Sequence, residues 1–370
     1  MKSKLKYAIY IILLVALLAC LAMTIAVRST AEPKLPPPTP TPTPVPTPTP
    51  VPTPTPEPEY FTISFVGDNT LVADDGGGRY NYVIENDMTR PYANTVQYFE
   101  NDDLSIANLE CTVSDEPMYS DMLFHFRTPT ANLDILKNGS IEFVTTANNH
   151  SGDFGQEGLD RNSAALEAAG IAFGGDGDAV IYETESGLKV GIFCAYKNAY
   201  ESACVNGINE LKSKGAEYII CALHWGDEGK YRPSEDQKAL AHALIDAGAD
   251  VIYGSHPHVL QPVEEYNGGV IIYSLANWSF GGNSNPRDMD TAIAQISVKR
   301  DVDGTVSTDD LTLIPCRISS TGSYNDYCPT PYEEDSEEYK RAMSKLDGSF
   351  EGSDLNIDYS FMFQSETPDE

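Results

Sequence analysis

Residues 217–261 read EYIICALHWGDEGKYRPSEDQKALAHALIDAGADVIYGSHPHVLQ. An apolar run at 217–225 precedes a stretch, 235–247, in which apolar residues recur every three or four positions, and a second apolar run follows at 249–255. Short apolar runs are typical of buried strands, whereas the three- and four-residue spacing is typical of a helix, which Gly248 would end. The stretch therefore predicts a strand, a helix and a second strand.

The same alternation extends over much of the chain. A second helical pattern covers 156–169, and further strand-like runs lie at 61–67, 104–110, 142–148, 188–196 and 268–277. This alternation predicts an α/β sandwich, with helices packed over a largely buried sheet. Residues 292–318 are instead typical of an antiparallel hairpin that closes on the Val-Asp-Gly turn at 302–304.

Length, composition and net charge limit the number of domains and the classes of partner that the chain can have. The chain has 370 residues, 41% of them hydrophobic, and a net charge of −31. This length allows one large domain or two small ones with a sizeable core. Because no basic stripe is present to neutralise phosphates, nucleic acid is excluded as a partner.

The first 28 residues predict a membrane anchor. Three lysines within the first six residues precede an uncharged apolar run over 7–27. A helix of that length would measure ~31 Å, enough to cross a bilayer, and the lysines favour a cytoplasmic N-terminus. We therefore expect a single-pass protein of the cell membrane, with residues 1–28 as a signal anchor and the following domain extracellular. A cleaved signal peptide and a lipoprotein anchored through Cys20 are the alternatives.

A Pro/Thr-rich segment follows the anchor. Residues 33–58 consist almost entirely of proline and threonine, which can form neither a helix nor a central strand. Such a run is typical of an extended polyproline spacer of ~3.1 Å per residue, or ~80 Å in all. We expect residues 29–59 to be a disordered linker that holds the domain away from the membrane.

Polar side chains end five of the strand-like runs. These residues are Asp68, Glu110, the group Asn148, Asn149 and His150, then His224, and the pair His256 and His258. Because ligands bind beyond the carboxyl ends of strands in open α/β sheets, neighbouring runs would bring these residues to one edge. The sequence therefore predicts a functional site there.

Carboxylate, amide and imidazole groups without sulfur suit Mn²⁺, Fe²⁺ or Zn²⁺, and there are enough of them for one or two ions. His150 need not be a ligand, because an imidazole nearby can protonate a leaving oxygen. Each residue also has a structural interpretation: Asp68 as a turn residue, the asparagines as loop or cap residues, and any single histidine as a hydrogen-bonded structural residue. Outside these runs, His125 and Arg127 are candidate substrate contacts. Cys316 and Cys328 are a candidate disulfide that the sequence does not establish.

Five motifs in order resemble the capsule-synthesis CapA family. They are GDNTL (67–71), NLECTV (108–113), TTANNHSGDFGQEGL (145–159), the block from Leu223 to Glu264, and YSLANWSFG (273–281). The family comprises poly-γ-glutamate synthesis proteins with a metallophosphatase-like fold. The resemblance implies a four-layer α/β/β/α sandwich, as in calcineurin-like phosphoesterases, over residues 60–320. From composition, we expect 321–370 to be a peripheral acidic extension; from about residue 332 its weak patterning predicts a segment that is peripheral or partly disordered.

The resemblance also implies functional roles for the residues at the matching positions of each motif. It implies metal ligands at Asp68, Glu110, Asn149, His224, His256 and His258, and catalytic roles for Asn149 and His150. Substrate contacts are expected at Asn148, His125, Arg127, Tyr231, Arg232 and Asn277. The sequence departs from the pattern at Thr70, where phosphoesterases have a histidine ligand, so one metal position would have a ligand fewer. Ala276 and Trp278 replace a usual glycine and phenylalanine, which we expect to alter the lining of the pocket.

Three functions are consistent with the sequence. The first is a membrane-anchored metallohydrolase-like protein that serves synthesis, transport or attachment of poly-γ-glutamate or a similar envelope polymer, together with other membrane subunits. The others are a metal-dependent phosphoesterase acting on an envelope ester and a non-catalytic scaffold. Because polymer and domain are both anionic, polymer binding requires local cations. We expect Arg79, Arg127, Lys230 and Arg232 to line the cleft with the histidines if the cleft binds polymer.

Overall fold

The structure is a computed structural model that describes residues 2–29, 57–73, 78–197, 199–282 and 284–357. The chain divides into two compact units, residues 1–55 and 56–370. Most of the predicted linker, residues 30–56, lies outside the described residues, as do residues 358–370. In the first unit, Lys2–Ser29 forms one helix, α1. No helix in the described ranges is both long enough and apolar enough to span a membrane, and the membrane anchor remains a prediction.

The described strands, in chain order, are β1 (Glu59–Asn69), β2 (Leu104–Leu109), β3 (Thr112–Val113), β4 (Arg127–Thr128), β5 (Phe143–Thr145), β6 (Ala172–Gly174), β7 (Ala179–Glu183), β8 (Lys189–Ala195), β9 (Tyr218–His224), β10 (Val251–Ser255), β11 (Val263–Tyr266), β12 (Gly269–Ile272), β13 (Asp290–Arg300), β14 (Val306–Arg317) and β15 (Thr330–Pro331). The α-helices of the second unit are α2 (Arg79–Asn86), α3 (Asp134–Asn138), α4 (Gly155–Ala169), α5 (Glu201–Ser213), α6 (Glu235–Asp246) and α7 (Glu337–Leu346). Short 3₁₀ turns lie at Arg90–Tyr92, Val96–Tyr98 and Thr130–Leu133.

Two mixed sheets form the second unit. The seven-stranded sheet has the order β15-β14-β13-β1-β2-β5-β6, and the six-stranded sheet has the order β11-β12-β10-β9-β8-β7. In the first, β1, β2, β5 and β6 run parallel, whereas β13 to β15 add antiparallel pairs. In the second, β12, β10, β9 and β8 run parallel between two antiparallel edge strands. The α/β prediction is confirmed.

The two sheets pack face to face. Buried side chains from one sheet, such as Phe65 and Ile106, share a core with Ile192 and Tyr253 of the other. A second core lies between the outer face of the larger sheet and helices α2 to α4, and a third lies beneath α5 and α6. This arrangement has four layers, because each sheet is apolar on both faces and must be covered on both.

Local sequence signals agree with these elements. The 292–318 pattern forms the β13–β14 hairpin, and Gly304 at its turn has a φ of 86°. Helix α6 begins at a capping box, in which Ser234 accepts from the Gln237 N–H and the Gln237 side chain accepts from the Ser234 N–H. Both backbone donors are thereby satisfied, which places the start of the helix at Glu235, three residues after Arg232.

The acidic end of the chain differs from its prediction. Helix α7 buries Ala342 and Leu346 in the inter-sheet core, and Lys345 is 2% exposed. Lys345 Nζ lies 2.6 Å from Asp288 Oδ2 and 2.7 Å from Asp290 Oδ2. The prediction of a peripheral segment is wrong for α7, because one apolar stripe and one buried ion-pair network attach this helix to β13 and β14. Cys316 and Cys328 are buried as separate thiols in the structure, not as a disulfide.

We expect Lys345→Met to lower the free energy of unfolding by about 3 kcal/mol, because it removes the buried cation from Asp288 and leaves Asp290 paired with Arg341. Burial disfavours the charge of Asp290, but Arg341 and Lys345 outweigh burial and lower its pKa. The ion-pair contribution is therefore present above the ordinary aspartate range and is lost as pH falls through the depressed value. Urea unfolding at pH 7 measures the loss.

Lys340→Met is the matched control, since Lys340 lies on the same helix in an exposed pair with Glu337. We expect it to change stability by less than about 0.5 kcal/mol. Equal losses in the two variants would contradict the role assigned to the buried network.

Candidate metal centre

The predicted site residues meet where the carboxyl ends of the parallel strands of both sheets converge. Asp68 lies near the end of β1, Glu110 follows β2, and Asn149 follows β5 by four residues. His224 ends β9 in the other sheet, and His256 directly follows β10. Because strands β1 and β10 also contact each other across the sandwich, the two edges contribute to one cluster.

Two carboxylates form the base of this cluster. Asp68 and Glu110 are both fully buried. The Asn108 amide donates to Asp68 Oδ1 at 2.8 Å and to Glu110 Oε2 at 3.3 Å. Glu110 Oε1 accepts no hydrogen bond from any described residue and lies 3.8 Å from both His224 Nε2 and His258 Nε2. A buried carboxylate oxygen without a donor is costly, so this atom is available to a cation.

Two imidazoles in the cluster are held neutral. Burial, followed by the neighbouring histidines, lowers the pKa of His224 well below its ordinary value. Burial and then His258 lower the pKa of His256 to about 4. The two rings lie 4.6 Å apart, and His256 Nδ1 is buried with no partner among the described residues. Neutral imidazole nitrogens are the form that binds metal.

His258 is the exception, because it faces both carboxylates. Its Nδ1 lies 2.8 Å from Asn277 Oδ1 and 3.2 Å from Asp68 Oδ2. Burial disfavours its charged form, but Glu110 and Asp68 outweigh burial and raise its pKa to about 10. Burial also raises the pKa of Glu110 well above its ordinary value. A positive charge on His258 therefore lies against both carboxylates.

The backbone around the cluster is strained and closely packed. His256 and His258 have φ values of 97° and 55°, in the left-handed region that non-glycine residues rarely adopt. A Cβ atom on Gly67 would lie 2.0 Å from Ala276 O, so only glycine allows the 273–281 loop to approach β1. The Asp68 N–H donates to that same oxygen at 2.8 Å. These backbone features fix Asp68, His256 and His258 close together in the cluster.

His150 lies beside the cluster, on a cavity of about 390 Å³ that also includes His258 and Asn277. His150 Nδ1 lies 2.9 Å from Asp153 Oδ2, an oxygen that also accepts the Phe126 N–H at 3.0 Å. The Phe126 ring packs edge-on against the His150 ring, with centroids 4.7 Å apart. Asp153 and Phe126 therefore orient the imidazole that faces the cavity.

Residues 62–281 match the family model of the bacterial capsule synthesis protein PGA_cap, which is more than half of the chain. The chain belongs to this family. The PGA biosynthesis protein CapA of Bacillus subtilis (strain 168) is 30% identical over 276 residues, which is 66% of this chain and 70% of that protein. The capsule biosynthesis protein CapA of Bacillus anthracis is 28% identical over 262 residues, 62% of this chain and 63% of that one. The predicted resemblance is confirmed.

Solved structures share a distant likeness of fold with this PGA_cap protein. Haemophilus influenzae NAD nucleotidase has a TM-score of 0.43 and 15% identity, over 80% of this chain and 57% of that one. The purple acid phosphatase PPD1 from yellow lupin seeds has a TM-score of 0.34 and 11% identity, over 69% of this chain and 53% of that one.

The predicted substrate contacts are only partly brought together. Asn277 lines the cavity. Asn149, which was predicted as a metal ligand and catalytic residue instead, has its Oδ1 2.7 Å from His224 Nε2. Asn148 is buried and donates to Asn108 Oδ1 and Leu109 O, so it braces the cluster. His125 packs edge-on against Phe154 and does not line the described cavity. Its placement does not support a substrate contact.

The expected cations do not share one cleft. Arg79 stacks on Tyr324, Arg127 donates to Ser114 O, and neither lines the cavity of the PGA_cap domain. Lys230 and Arg232 pair with Asp354 instead, and the Tyr231 hydroxyl donates to Asp288. Polymer binding across the cavity therefore loses support from Arg79, Arg127, Lys230 and Arg232. Arg287, to which no sequence motif pointed, does line the cavity.

Three departures from the family pattern also have structural explanations. The Thr70 hydroxyl donates to Val72 O and accepts the Gly281 N–H, both at 2.8 Å, so it braces a loop. Ala276 has a φ of 61°, which explains a preference for glycine there. Trp278 is buried against Tyr92 and Phe99. It therefore belongs to the core, and the expectation that Trp278 changes the pocket lining is wrong.

Three residues complete the site that were given no role from the sequence, although each lies within one of the quoted motifs: Asn108, Asp153 and Ser255. Asn108 is an amide inside an apolar strand, two positions before Glu110 and hence on the same face of the chain. This spacing from Glu110 could have identified Asn108 as a site residue from the sequence. Ser255 Oγ lies 2.9 Å from His224 Nδ1, and this contact depends on two strands that only the fold brings together.

The donor set of this PGA_cap protein fits a divalent metal ion. Ligand atoms of Asp68, Glu110 and His224 lie within 4.8 Å of one another, and so do those of Glu110, His256 and His258. The two groups share Glu110, and one of them contains His256. Among the described residues, neither Glu110 Oε1 nor His256 Nδ1 has a hydrogen-bond partner. Oxygen and imidazole donors of this kind suit divalent Mn, Fe or Zn.

We expect metal binding to release protons and to strengthen with pH. His258, with a pKa of about 10, is protonated at pH 7 and must lose its proton to become a ligand. Affinity should therefore rise by about tenfold per pH unit for each proton released, between about pH 6.5 and 9. Calorimetric titration with Mn²⁺ or Zn²⁺ in two buffers of different ionisation enthalpy counts these protons.

His258→Gln should remove about one released proton. His242→Gln is the control, because His242 pairs with Glu264 away from the cluster and should leave the count unchanged. Binding enthalpies that are independent of buffer in the wild-type protein would refute the assignment of His258 as a protonated ligand.

Proposed function

We propose that this protein serves the synthesis, transport or attachment of poly-γ-glutamate or a similar envelope polymer, through a hydrolytic step at a divalent-metal centre. Family membership supports the capsule role, as do the names of relatives in two Bacillus species, a PGA biosynthesis protein and a capsule biosynthesis protein. The observation that carries the hydrolytic step is the buried cluster in which Glu110 Oε1 and His256 Nδ1 have no hydrogen-bond partner within the part of the chain that the structure describes.

The residues that would hold one or two ions are Asp68, Glu110, Asn149, His224, His256 and His258. A divalent ion supplies Lewis acidity to the scissile bond and lowers the pKa of water. Asn108 keeps Asp68 and Glu110 in place through its amide. Asn149 Oδ1, at 2.7 Å from His224 Nε2, orients that ring.

His150 is the candidate general acid. Asp153 and Phe126 orient its ring at the cavity wall, and Nδ1 is occupied by Asp153. The opposite nitrogen, Nε2, is therefore the one that would pass a proton to a leaving group in the cavity. The aromatic rings of Phe126 and Phe280 pack against His150 and His258 respectively, which reduces the access of water to the reacting groups.

A metal-dependent phosphoesterase acting on a small envelope ester is the second candidate. The observation that favours it is the cavity itself. Among its described lining residues, Arg287 is the one lysine or arginine, and it is accompanied by Glu228 and Asp288. A cavity of about 390 Å³ with this balance of charge fits one phosphate ester better than a long polyanion.

Location and partners complete the proposal. The lysines and the apolar run at the N-terminus support a single-pass anchor with a cytoplasmic N-terminus and an extracellular domain. The Pro/Thr-rich segment would hold the domain off the membrane. Other membrane subunits of a polymer-synthesis complex are the proposed partners, as membership of a capsule-synthesis family suggests.

The test uses full-length protein in detergent, loaded with Mn²⁺, Fe²⁺ or Zn²⁺, and measures bound metal by elemental analysis. We expect one or two ions per chain, and loss of metal in the His256→Ala/His258→Ala double variant and in Glu110→Gln. His242→Ala should retain it. Hydrolysis is then measured with p-nitrophenyl phosphate, bis-p-nitrophenyl phosphate and γ-glutamyl p-nitroanilide.

His150→Ala should keep the metal and lower the rate by about 10²- to 10⁴-fold. Phosphate-ester hydrolysis without γ-glutamyl hydrolysis would favour the second candidate. Wild-type protein that binds no metal after loading, or rates equal in wild type and the metal-site variants, would refute a hydrolytic centre and leave a scaffold that keeps the fold.

A further inference from the structure

The segment after α7 runs along the loop that leads away from His224. We call residues 350–357 the C-terminal strap. The Leu355 N–H donates to Gly229 O at 2.9 Å, and the Tyr231 N–H donates to Asp354 Oδ1 at 3.0 Å. The Phe350 ring packs against the Tyr231 ring, with centroids 4.8 Å apart. The strap is thus attached to residues 229–231 by backbone contacts and one aromatic pair.

Three cations hold the strap mainly by its backbone. Arg232 Nη2 donates to Phe350 O at 2.9 Å and to Gly352 O at 3.1 Å, and Arg287 Nη2 donates to Asn356 O at 2.6 Å. The Asp354 carboxylate lies 3.5 Å from Lys230 Nζ and 3.6 Å from Arg232 Nη1. This set of contacts recognises amide carbonyls together with a carboxylate, which are the groups of any acidic polyamide chain.

The same segment reaches the candidate metal centre. The Gly229 N–H donates at 2.8 Å to the carbonyl of Pro257, the residue between the two clustered histidines. Leu355 and Ile357 line the cavity that contains His150 and His258. A Cβ atom on Gly229 would lie 3.0 Å from both of these strap side chains. The strap therefore forms one wall of the cavity.

The contacts that hold the strap are of a kind that another chain can replace. Lys230, Arg232 and Asp354 keep 47%, 54% and 34% of their side chains exposed, and exposed ion pairs contribute little to stability. The strap itself is exposed or half-buried throughout. Segments with few buried apolar contacts open more readily than the core of a fold.

We propose that the groove formed by residues 229–232 and Arg287 binds an acidic polyamide chain, and that the strap occupies this groove in cis until such a chain displaces it. Displacement would remove one wall of the cavity and bring the bound chain to its edge. The inference deepens the proposed function, on which it rests for the identity of the polymer. An acidic domain needs local cations to bind an anionic polymer. The cations that now hold the strap would supply them.

Hydrogen–deuterium exchange on the full-length protein tests the displacement. The probe is a decamer of γ-linked glutamate, and its fully methyl-esterified form is the uncharged control. We expect the charged decamer to raise exchange in the peptide that covers 350–357, while 229–232 stays protected because the decamer takes over the groove. The ester should change neither segment.

Asp354→Asn should weaken the strap and tighten decamer binding about 3- to 10-fold, because less binding energy is spent on displacement. Glu351→Gln makes the same change of charge on an exposed carboxylate of the strap and should leave the affinity unchanged. Arg232→Gln should speed exchange of the strap and also weaken decamer binding, since it removes a cation from the groove itself.

The proposal is overturned if the decamer fails to bind, if it binds without faster exchange in 350–357, or if Asp354→Asn and Glu351→Gln behave alike. None of these readouts depends on metal or on hydrolysis. A responsive strap in a protein that holds no metal would refute only the hydrolytic centre. An unresponsive strap in an active metalloprotein would refute only the groove.

Discussion

Two buried carboxylates, Asp68 and Glu110, impose the constraint around which the rest of the second unit is arranged. Burying an isolated carboxylate is far more costly than burying an apolar group, so each charge requires a donor or a cation close by. Strands β1 and β2 pair with Asp68 opposite Asn108, which places one amide against both acids. The other sheet contributes the imidazoles. The α/β/β/α layering therefore has a chemical consequence, because only the junction of two sheets brings positive or metal-binding groups to both acids at once.

The strained histidine loop follows from the same constraint. Two histidines separated by one proline reach the carboxylates only because both adopt positive φ values, and such conformations persist when the surroundings determine them fully. The surroundings here are the 273–281 loop, which lies against Gly67, and the loop at Gly229, which donates to Pro257 O. The C-terminal strap is attached to that second loop. The strap is thus connected to the histidine loop through two hydrogen bonds, from the Leu355 N–H to Gly229 O and from the Gly229 N–H to Pro257 O.

Some of this organisation was readable from residue patterns. Apolar runs that end in Asp68, Glu110, His224 and His256 predicted both the strands and their shared edge, since parallel strands end on one side of a sheet. Asn108 was equally readable, because an amide within an apolar strand two positions from Glu110 must share its environment. Helix α7 was misread, since its many acidic and basic residues concealed a stripe in which Ala342 and Leu346 are buried and Lys345 faces two aspartates. Overall composition averages over the faces of a helix and does not reveal such a stripe.

By itself the sequence determined the α/β alternation, the family and the chemical types of the candidate ligands, because these depend on local periodicity and on residues close together along the chain. Only the tertiary structure decided which polar groups meet. In the folded protein, Arg79 and Arg127 lie outside the cavity, Thr70 and Trp278 have structural roles, and Asp153 contacts His150. The tertiary structure also placed Asp354 between Lys230 and Arg232. These contacts join residues far apart along the chain, 124 positions for Lys230 and Asp354 and 211 positions for Thr70 and Gly281. Their distances are set by how two sheets and a terminal helix pack, which no local pattern encodes.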